Sequence, residues 1–394
     1  MSLRECLHNW RVWPHVQNRR EVSLYCPFLY NRERNGGPGV DVGLIGLPLS
    51  GKTTVFNLLT HVKADTNAFG GGKTESRRAL APIPDPRLDR LEQIYHPRKK
   101  TPATISVVDV PGLSRQENGG PNRFLNDVRM VDALVHVVRG YHSDFLGDPH
   151  VLEDIQEMEL ELGLSDLDLL EKRRTRIQSG KKMTSELKQE LDLVERLIDV
   201  LEHDRRLQQM ALPEDDLRVI RGYQFLTLKP AIWVINVDDQ TLQSGRYPDQ
   251  QAIEALAHDK DIPVVLVAAA MEQEMEELNP ADQLIFMQDL GINESGLTRV
   301  AQAIYHKLGL ISFLTAGEDE VRAWTIRRGT AARGAAGKIH SDIERGFIRA
   351  EVIAFTDLNE SGNITRAKEL GLVRLEGKDY VMKDGDVVNF RFNV

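Results

Sequence analysis

The sequence predicts an α/β protein with an inserted α-helical hairpin and a separate, sheet-rich C-terminal module. Three observations predict it. Residues 42–59 read as apolar strand, glycine-framed loop and helix. Leu187, Leu191, Val194, Ile198 and Leu201 step by four, three, four and three, the seam of a helix packed on another. Beyond residue 308, short β-prone runs alternate with polar turns. At 394 residues the chain is long enough for two or three domains.

Composition narrows the class. Apolar residues at 41% and charged residues at 28% suit a globular chain, which sets wholesale disorder aside. A net charge of −9 excludes a chain that is basic throughout, and no DNA specificity is expected, although a local basic patch can still meet RNA. Only Cys6 and Cys26 occur, so neither a disulfide framework nor a cysteine metal site is expected, and a reducing cytoplasm fits. No apolar run approaches the roughly 20 residues of a membrane helix, and the first residues lack an apolar signal core.

In chain order, residues 1–39 mix Trp10, Trp13, Arg19, Arg20 and Tyr30 without a period and end in Asn35-Gly36-Gly37-Pro38-Gly39, so they are expected to form a flexible N-terminal extension. Gly46 and Gly51 then frame Leu47, Pro48, Leu49 and Ser50, and Lys52, Thr53 and Thr54 follow, which is the phosphate-loop pattern. Glycines let backbone amides turn around phosphate oxygens, the helix start adds its positive end, Lys52 supplies a point charge, and Thr53 offers a hydroxyl to Mg²⁺. Residues 64–78 are polar and glycine-rich and read as a loop near the phosphates, followed by a short helix through Leu88, Leu91 and Ile94. Residues 104–110 form a β-branched strand that places Asp109 at its carboxyl end, where ligands bind in open α/β sheets. Another strand follows at residues 133–138.

Residues 151–222 are assigned to the hairpin insertion, 40–150 together with 223–307 to a nucleotide-binding domain, and 308–394 to the closing module. Strands at residues 231–236 and 263–268 resume the α/β pattern, and a helix near residues 297–307 closes it.

Asp109-Val110-Pro111-Gly112 stands in the order a phosphate-loop NTPase requires. Asp109 is expected to hold Mg²⁺ and the Gly112 amide to sense the terminal phosphate, while Leu113 occupies the place where many GTPases orient water with Gln. Asn236-Val237-Asp238-Asp239 follows a strand where a base-reading motif is expected, with Val237 in place of its Lys and Asp239 at the guanine-reading position, so ATP or GTP stays open. Ala268, Ala269 and Ala270 are expected to give the base backbone contacts.

With these residues in view the chain resembles the YchF family, the Obg-like ATPases among the translation-factor-related P-loop NTPases. The resemblance spans residues 40–394 and includes Pro84-Asp85-Pro86-Arg87-Leu88-Asp89, His136-Val137-Val138-Arg139, Glu320-Val321-Arg322-Ala323-Trp324-Thr325-Ile326 and Gly337-Lys338-Ile339-His340-Ser341-Asp342. It implies a Ras-like nucleotide domain, an inserted helical hairpin and a β-grasp TGS module. It also implies ribosome or RNA association through the TGS module and the hairpin, and ATP hydrolysis in preference to GTP for many members. The chain departs from the family at several points. Leu49 stands where a cation-binding Asn is usual, so little K⁺ stimulation is expected, and Asp239 stands where Glu is usual. Thr74 is the nearest candidate for the family's loop Thr on Mg²⁺, and neither His142 nor His150 can be assigned as the family's water-placing His.

The expected function is a Mg²⁺-dependent, slow ATP or GTP hydrolase acting as a cytoplasmic switch with ribosomes or RNA, with Lys52 stabilising developing charge. The alternative is a non-catalytic, nucleotide-regulated adaptor for a translation-related or stress-response partner. A small-molecule kinase would need a second pocket that the sequence does not declare. The basic residues Arg322, Arg327, Arg328, Arg333, Lys338, Arg345 and Arg349 suggest a phosphate-facing patch, set against a solvated face balanced by nearby acids.

Overall fold

A computed structural model of the chain describes residues 40–62, 77–110, 125–292 and 294–393. Two six-stranded sheets organise it. The first contains β1 (Asp41–Ile45), β2 (Arg77–Pro82), β4 (Thr104–Asp109), β5 (Ala133–Arg139), β6 (Ala231–Asn236) and β7 (Val264–Val267), in the order β2-β4-β1-β5-β6-β7. Only β2 runs antiparallel to its neighbour. Every residue of β1, β5 and β6 is buried, the expected state of parallel strands covered on both faces by helices.

Register explains why chemistry gathers at one edge. Leu44 pairs with Asp109, Ile45 with His136, Arg139 with Asn236, and Asn236 with Val267, so the carboxyl ends of the parallel strands form one line. β1 lies between β4 and β5, where the winding reverses, and such a switch point opens the crevice in which open α/β sheets bind ligands.

α1 (Lys52–Thr60), α2 (Pro86–Tyr95) and α11 (Gly296–Lys307) cover one face through Val55, Phe56, Leu88, Leu91, Val300 and Ile304. On the other face lie the first half of α4 (Val151–Gln178) and α8 (Gln250–Asp259), with Ile155, Met158, Leu162 and Ile253 packed on Leu134 and Trp233. The short segments between them are α3 (Leu125–Val128), α6 (Glu214–Ile220), α7 (Asp239–Ser244), α9 (Ala269–Glu276) and α10 (Pro280–Asp289).

α4 continues beyond the sheet and pairs with α5 (Ser185–Glu202), whose first turn is capped by Thr184 accepting from the Leu187 amide. The expected seam is only half right: Val194, Ile198 and Leu201 are buried, and Leu193 and Leu197 complete the face, whereas Leu187 and Leu191 near the tip stay half-exposed. A fully buried carboxylate fixes the root of the hairpin. Asp166 accepts from Arg129 at 2.7 Å, from the Leu226 and Thr227 amides at 3.1 and 2.8 Å, and from the Thr227 hydroxyl at 2.8 Å. Four donors offset the desolvation that a lone buried carboxylate would suffer.

The second sheet contains β3 (Lys99–Thr101), β8 (Leu310–Ala316), β9 (Glu320–Arg327), β10 (Phe347–Ala354), β11 (Arg374–Glu376) and β12 (Asp386–Phe392), in the order β11-β10-β12-β8-β9-β3. Its helices are α12 (Ala332–Ile339), α13 (Ser341–Arg345), α14 (Phe355–Ser361) and α15 (Ile364–Glu369). This sheet is less separate than its composition suggests. β3 (Lys99–Thr101), from the first part of the chain, forms its edge by parallel pairing with β9. Leu314, Val321 and Val387 share an apolar cluster with α1, α2 and α11. Arg87 adds a bridge to Asp384 at 2.8 Å, and the same carboxylate accepts the Ser312 amide at 2.8 Å.

His136, inside β5, is buried without a ring partner among the described residues. Burial pushes its pKa down to about 4, with Arg206 lowering it further and Glu159 opposing. The unfolded chain takes up this proton near pH 6.5, so the stability held by neutral His136 is full above that pH and is lost as pH falls toward 4. The loss amounts to about 3 kcal/mol. Urea unfolding between pH 7 and pH 4.5 is expected to show a steeper loss for the wild type than for His136→Leu, and parallel curves would contradict this.

Candidate functional site

The loop after β1 is held by contacts that only glycine permits. A Cβ on Gly46 would stand 2.4 Å from the Val137 carbonyl oxygen, and one on Gly51 would stand 2.1 Å from Nδ2 of Asn236. Gly51 also adopts φ 86°, in the left-handed region. Leu47 is half-buried, Pro48 and Leu49 form the exposed crown, and Ser50 is buried with its hydroxyl unpartnered among the described residues. Leu49 takes φ 62°, a conformation that Asn tolerates and that costs a leucine roughly 1 kcal/mol. α1 then starts at Lys52 with no side-chain cap and no acidic residue in its first turn. Its leading amides and dipole face the loop, the arrangement that receives phosphate. Thr54 is half-buried one step further along the helix.

Lys52 and Asp109 meet across the crevice. The Lys52 ammonium lies 3.1 Å from Oδ1 of Asp109 and also donates to the Val110 carbonyl. Thr53 donates its hydroxyl to Oδ2 of the same carboxylate at 3.4 Å. A hydroxyl and a carboxylate side by side are hard oxygen donors of the kind Mg²⁺ takes, with phosphate and water completing its shell, so these residues fit that ion. The Gly112 amide, Leu113 and Thr74 lie outside the described residues.

Asn236 ties the loop to its neighbours. Its Nδ2 donates to the Ser50 carbonyl at 3.1 Å, and its Oδ1 accepts the Ala269 amide at 3.1 Å. Val237 is buried in the apolar cluster beneath the edge, and its amide bonds the Val267 carbonyl at 2.8 Å, so its side chain offers no surface to a base. The two aspartates of the motif divide their work. Asp238 caps α7 by accepting the Thr241 amide at 2.8 Å, and Asp239 stands exposed in the first turn. Ala268 and Ala269 are buried, and Ala270 is exposed.

The segment after β5 contributes a residue that the motifs do not indicate. Tyr141 donates its hydroxyl to the Leu49 carbonyl at 2.9 Å, and burial raises its pKa, which keeps the donor proton in place. Arg139 fixes this segment by donating to the carbonyls of Tyr141, Gly147 and Asp148 at 3.0, 2.8 and 2.9 Å. A visible sign is that a strand otherwise made of apolar residues and His136 ends in an arginine. His142 and His150 are exposed and sit 2.8 and 2.9 Å from Asp148 and Glu153, as surface histidines do.

Comparison with known proteins follows the same lines. Residues 41–174 match a family model described as a 50S ribosome-binding GTPase. Residues 310–393 match the model YchF-GTPase_C, described as a protein of unknown function. The chain is 42% identical over 364 residues to the ribosome-binding ATPase YchF of Haemophilus ducreyi, covering 90% of this chain and 100% of that protein. The Bacillus subtilis protein of the same name is 37% identical over 361 residues, covering 89% of this chain and 99% of its own. Among solved structures, the Schizosaccharomyces pombe YchF GTPase aligns with a TM-score of 0.77 at 26% identity, over 90% of this chain and 99% of that one.

Tyr141→Phe removes one hydroxyl from the crown and leaves the ring. A net hydrogen bond of about 1 kcal/mol corresponds to roughly fivefold weaker nucleotide binding. Calorimetric titration is expected to show that loss for ATP and GTP alike, and an unchanged dissociation constant would mean that the crown keeps its shape without the bond.

Proposed function

The chain belongs to the YchF family, and from that premise we propose that it is a nucleotide-hydrolysing switch that acts with the ribosome. The observation that carries this reading is the meeting of Lys52, Thr53 and Asp109 beside the uncapped start of α1. In this reading the loop amides and Lys52 bind the phosphates, and Lys52 stabilises the charge that develops as the terminal phosphate leaves. Thr53 and Asp109 hold Mg²⁺, with Thr74 a further candidate, and when bound the ion offsets charge on the phosphate oxygens. The Gly112 amide senses the terminal phosphate. Asn236 braces the loop against the 268–270 turn, Asp239, exposed at the head of α7, reads the base edge, and the backbone of Ala268, Ala269 and Ala270 gives the base further contacts.

Two relatives are named ribosome-binding ATPases, and that partner and reaction are proposed here for this chain. Contact with RNA is assigned to the hairpin and the C-terminal module. The competing reading is a nucleotide-regulated adaptor. It is favoured by the surface placement of His142 and His150, neither of which faces the loop through a bond.

Single-turnover hydrolysis with and without ribosomes separates the two. The switch predicts measurable cleavage that ribosomes accelerate, and tight nucleotide binding with negligible cleavage in both conditions would favour the adaptor. Because Leu49 replaces a possible cation ligand, exchanging K⁺ for Na⁺ is expected to change the rate little, and a large K⁺ advantage would remove that inference. In titrations, Asp239→Glu is expected to shift preference toward ATP, and an unaltered ATP to GTP ratio would show that Asp239 does not read the base.

A further inference from the structure

The hairpin is electrically polarised along its length. Residues 151–171 carry eight acidic side chains and no lysine or arginine, and residues 189–204 carry six acidic ones against Arg196 and His203. Between them, residues 172–188 carry seven basic side chains against one acidic, in a chain whose net charge is −9. Surface helices usually mix the two signs, which keeps them soluble without a field. Here the signs are separated by position, and the basic end is the one away from the sheet. At ~1.5 Å per residue the helix that carries it is about 42 Å long.

Internal stabilisation accounts for part of this charge and leaves the rest. Arg173 grips Glu190 with two bonds of 2.8 and 2.7 Å, bracing the two helices where the tip begins, and Lys172 pairs with Asp168 at 2.6 Å. Arg176, Lys181, Lys182 and Lys188 are exposed, and their side chains make no hydrogen bond or ion pair among the described residues. Arg176 in the last turn of α4 suits the negative helix end, and Lys181 and Lys182 follow it closely. Lys188 does not fit that explanation, because it stands in the first turn of α5, where a cation opposes the dipole. The tip's one acid, Glu186, is drawn onto the amide and hydroxyls of that same turn, which holds its carboxyl below the usual range.

Three basic residues of the C-terminal module are disposed differently. Arg345 is paired with Asp342, and Arg322 lies 3.9 Å over the Trp324 ring and 4.0 Å from Glu320. Arg333 donates to the Glu344 carbonyl at 3.3 Å. These three are compensated, and Arg328 and Arg349 are exposed with no side-chain bond among the described residues, whereas the hairpin tip gathers four such cations at one end of one element.

We propose that the hairpin tip, through Arg176, Lys181, Lys182 and Lys188, is the surface that docks on the phosphate backbone of ribosomal RNA. This rests on the ribosome reading above and narrows the hairpin's share of that contact to its tip. Exposed cations clustered at the end of a hairpin suit a backbone of repeated phosphates, to which each contributes through counterion release and without base selectivity.

The test uses the full chain with all four residues changed to Glu, and a second variant with all four changed to Gln. Co-sedimentation with purified bacterial ribosomes is measured across a KCl series, with nucleotide hydrolysis and circular dichroism as controls on the fold. Ribosome affinity is expected to fall about 100-fold or more at low salt for the Glu variant and less for the Gln variant. The slope of log affinity against log salt should drop by about 3, with hydrolysis unchanged. Undiminished ribosome binding by the variants, alongside tight binding by the wild type, overturns the tip assignment and leaves the ribosome reading standing. Failure of the wild type itself to co-sediment overturns both. Loss of binding to phosphatidylglycerol vesicles without loss of ribosome binding assigns the tip to a lipid surface and overturns the proposal, as does a matching ribosome loss produced only by Arg328→Glu with Arg349→Glu.

Discussion

The site depends on one side chain held between two loops. Asn236 gives its amide nitrogen to the Ser50 carbonyl and its amide oxygen to the Ala269 amide, so it fixes the phosphate loop against the turn after β7. The contact leaves no room for a Cβ at Gly51, and it sits at the end of a strand whose partner strand ends in Arg139. Arg139 in turn orders the segment from which Tyr141 reaches the crown of the same loop. A loop containing a left-handed leucine is therefore held from below by Asn236 and from the side by Tyr141.

The same economy joins the larger parts. Asp166 collects donors from Arg129, just before β5, and from the chain entering β6, so the hairpin root is fastened to the segments that lead into two neighbouring strands of the nucleotide-binding sheet. At the other end, the segment carrying α2 and β3 is bound into the C-terminal sheet by strand pairing and by the Arg87–Asp384 bridge. That segment runs between β2 and β4, and Arg77 of β2 lies opposite Asp109. The C-terminal sheet is thus anchored to the part of the chain that flanks Asp109.

What could be read from the sequence was local. The glycine-framed loop, Lys52, Thr53 and the aspartate at a strand end are short patterns whose spacing is set by one strand and one helix, and the structure brings Lys52, Thr53 and Asp109 together. The hairpin was legible from its period, although its seam shifts because Leu187 and Leu191 lie toward the exposed tip. β3 was not legible, because Lys99-Lys100-Thr101 has no strand pattern and pairs only where β9 is brought to it. Tyr141 and the two bonds of Asn236 depend on residues 33 to 186 positions away, which no local pattern encodes. The basic residues of the C-terminal module look alike in sequence, and the fold separates those that are paired from those that are not.

With both ends of its side-chain amide engaged by backbone groups, Asn236 shapes the phosphate loop and is not expected to choose the base. Titration of Asn236→Ala with ATP and with GTP tests this directly. Losing two net hydrogen bonds of about 1 kcal/mol each predicts that both affinities fall by the same factor, roughly 30-fold. A variant that loses one nucleotide and keeps the other would contradict the account and make Asn236 a base reader.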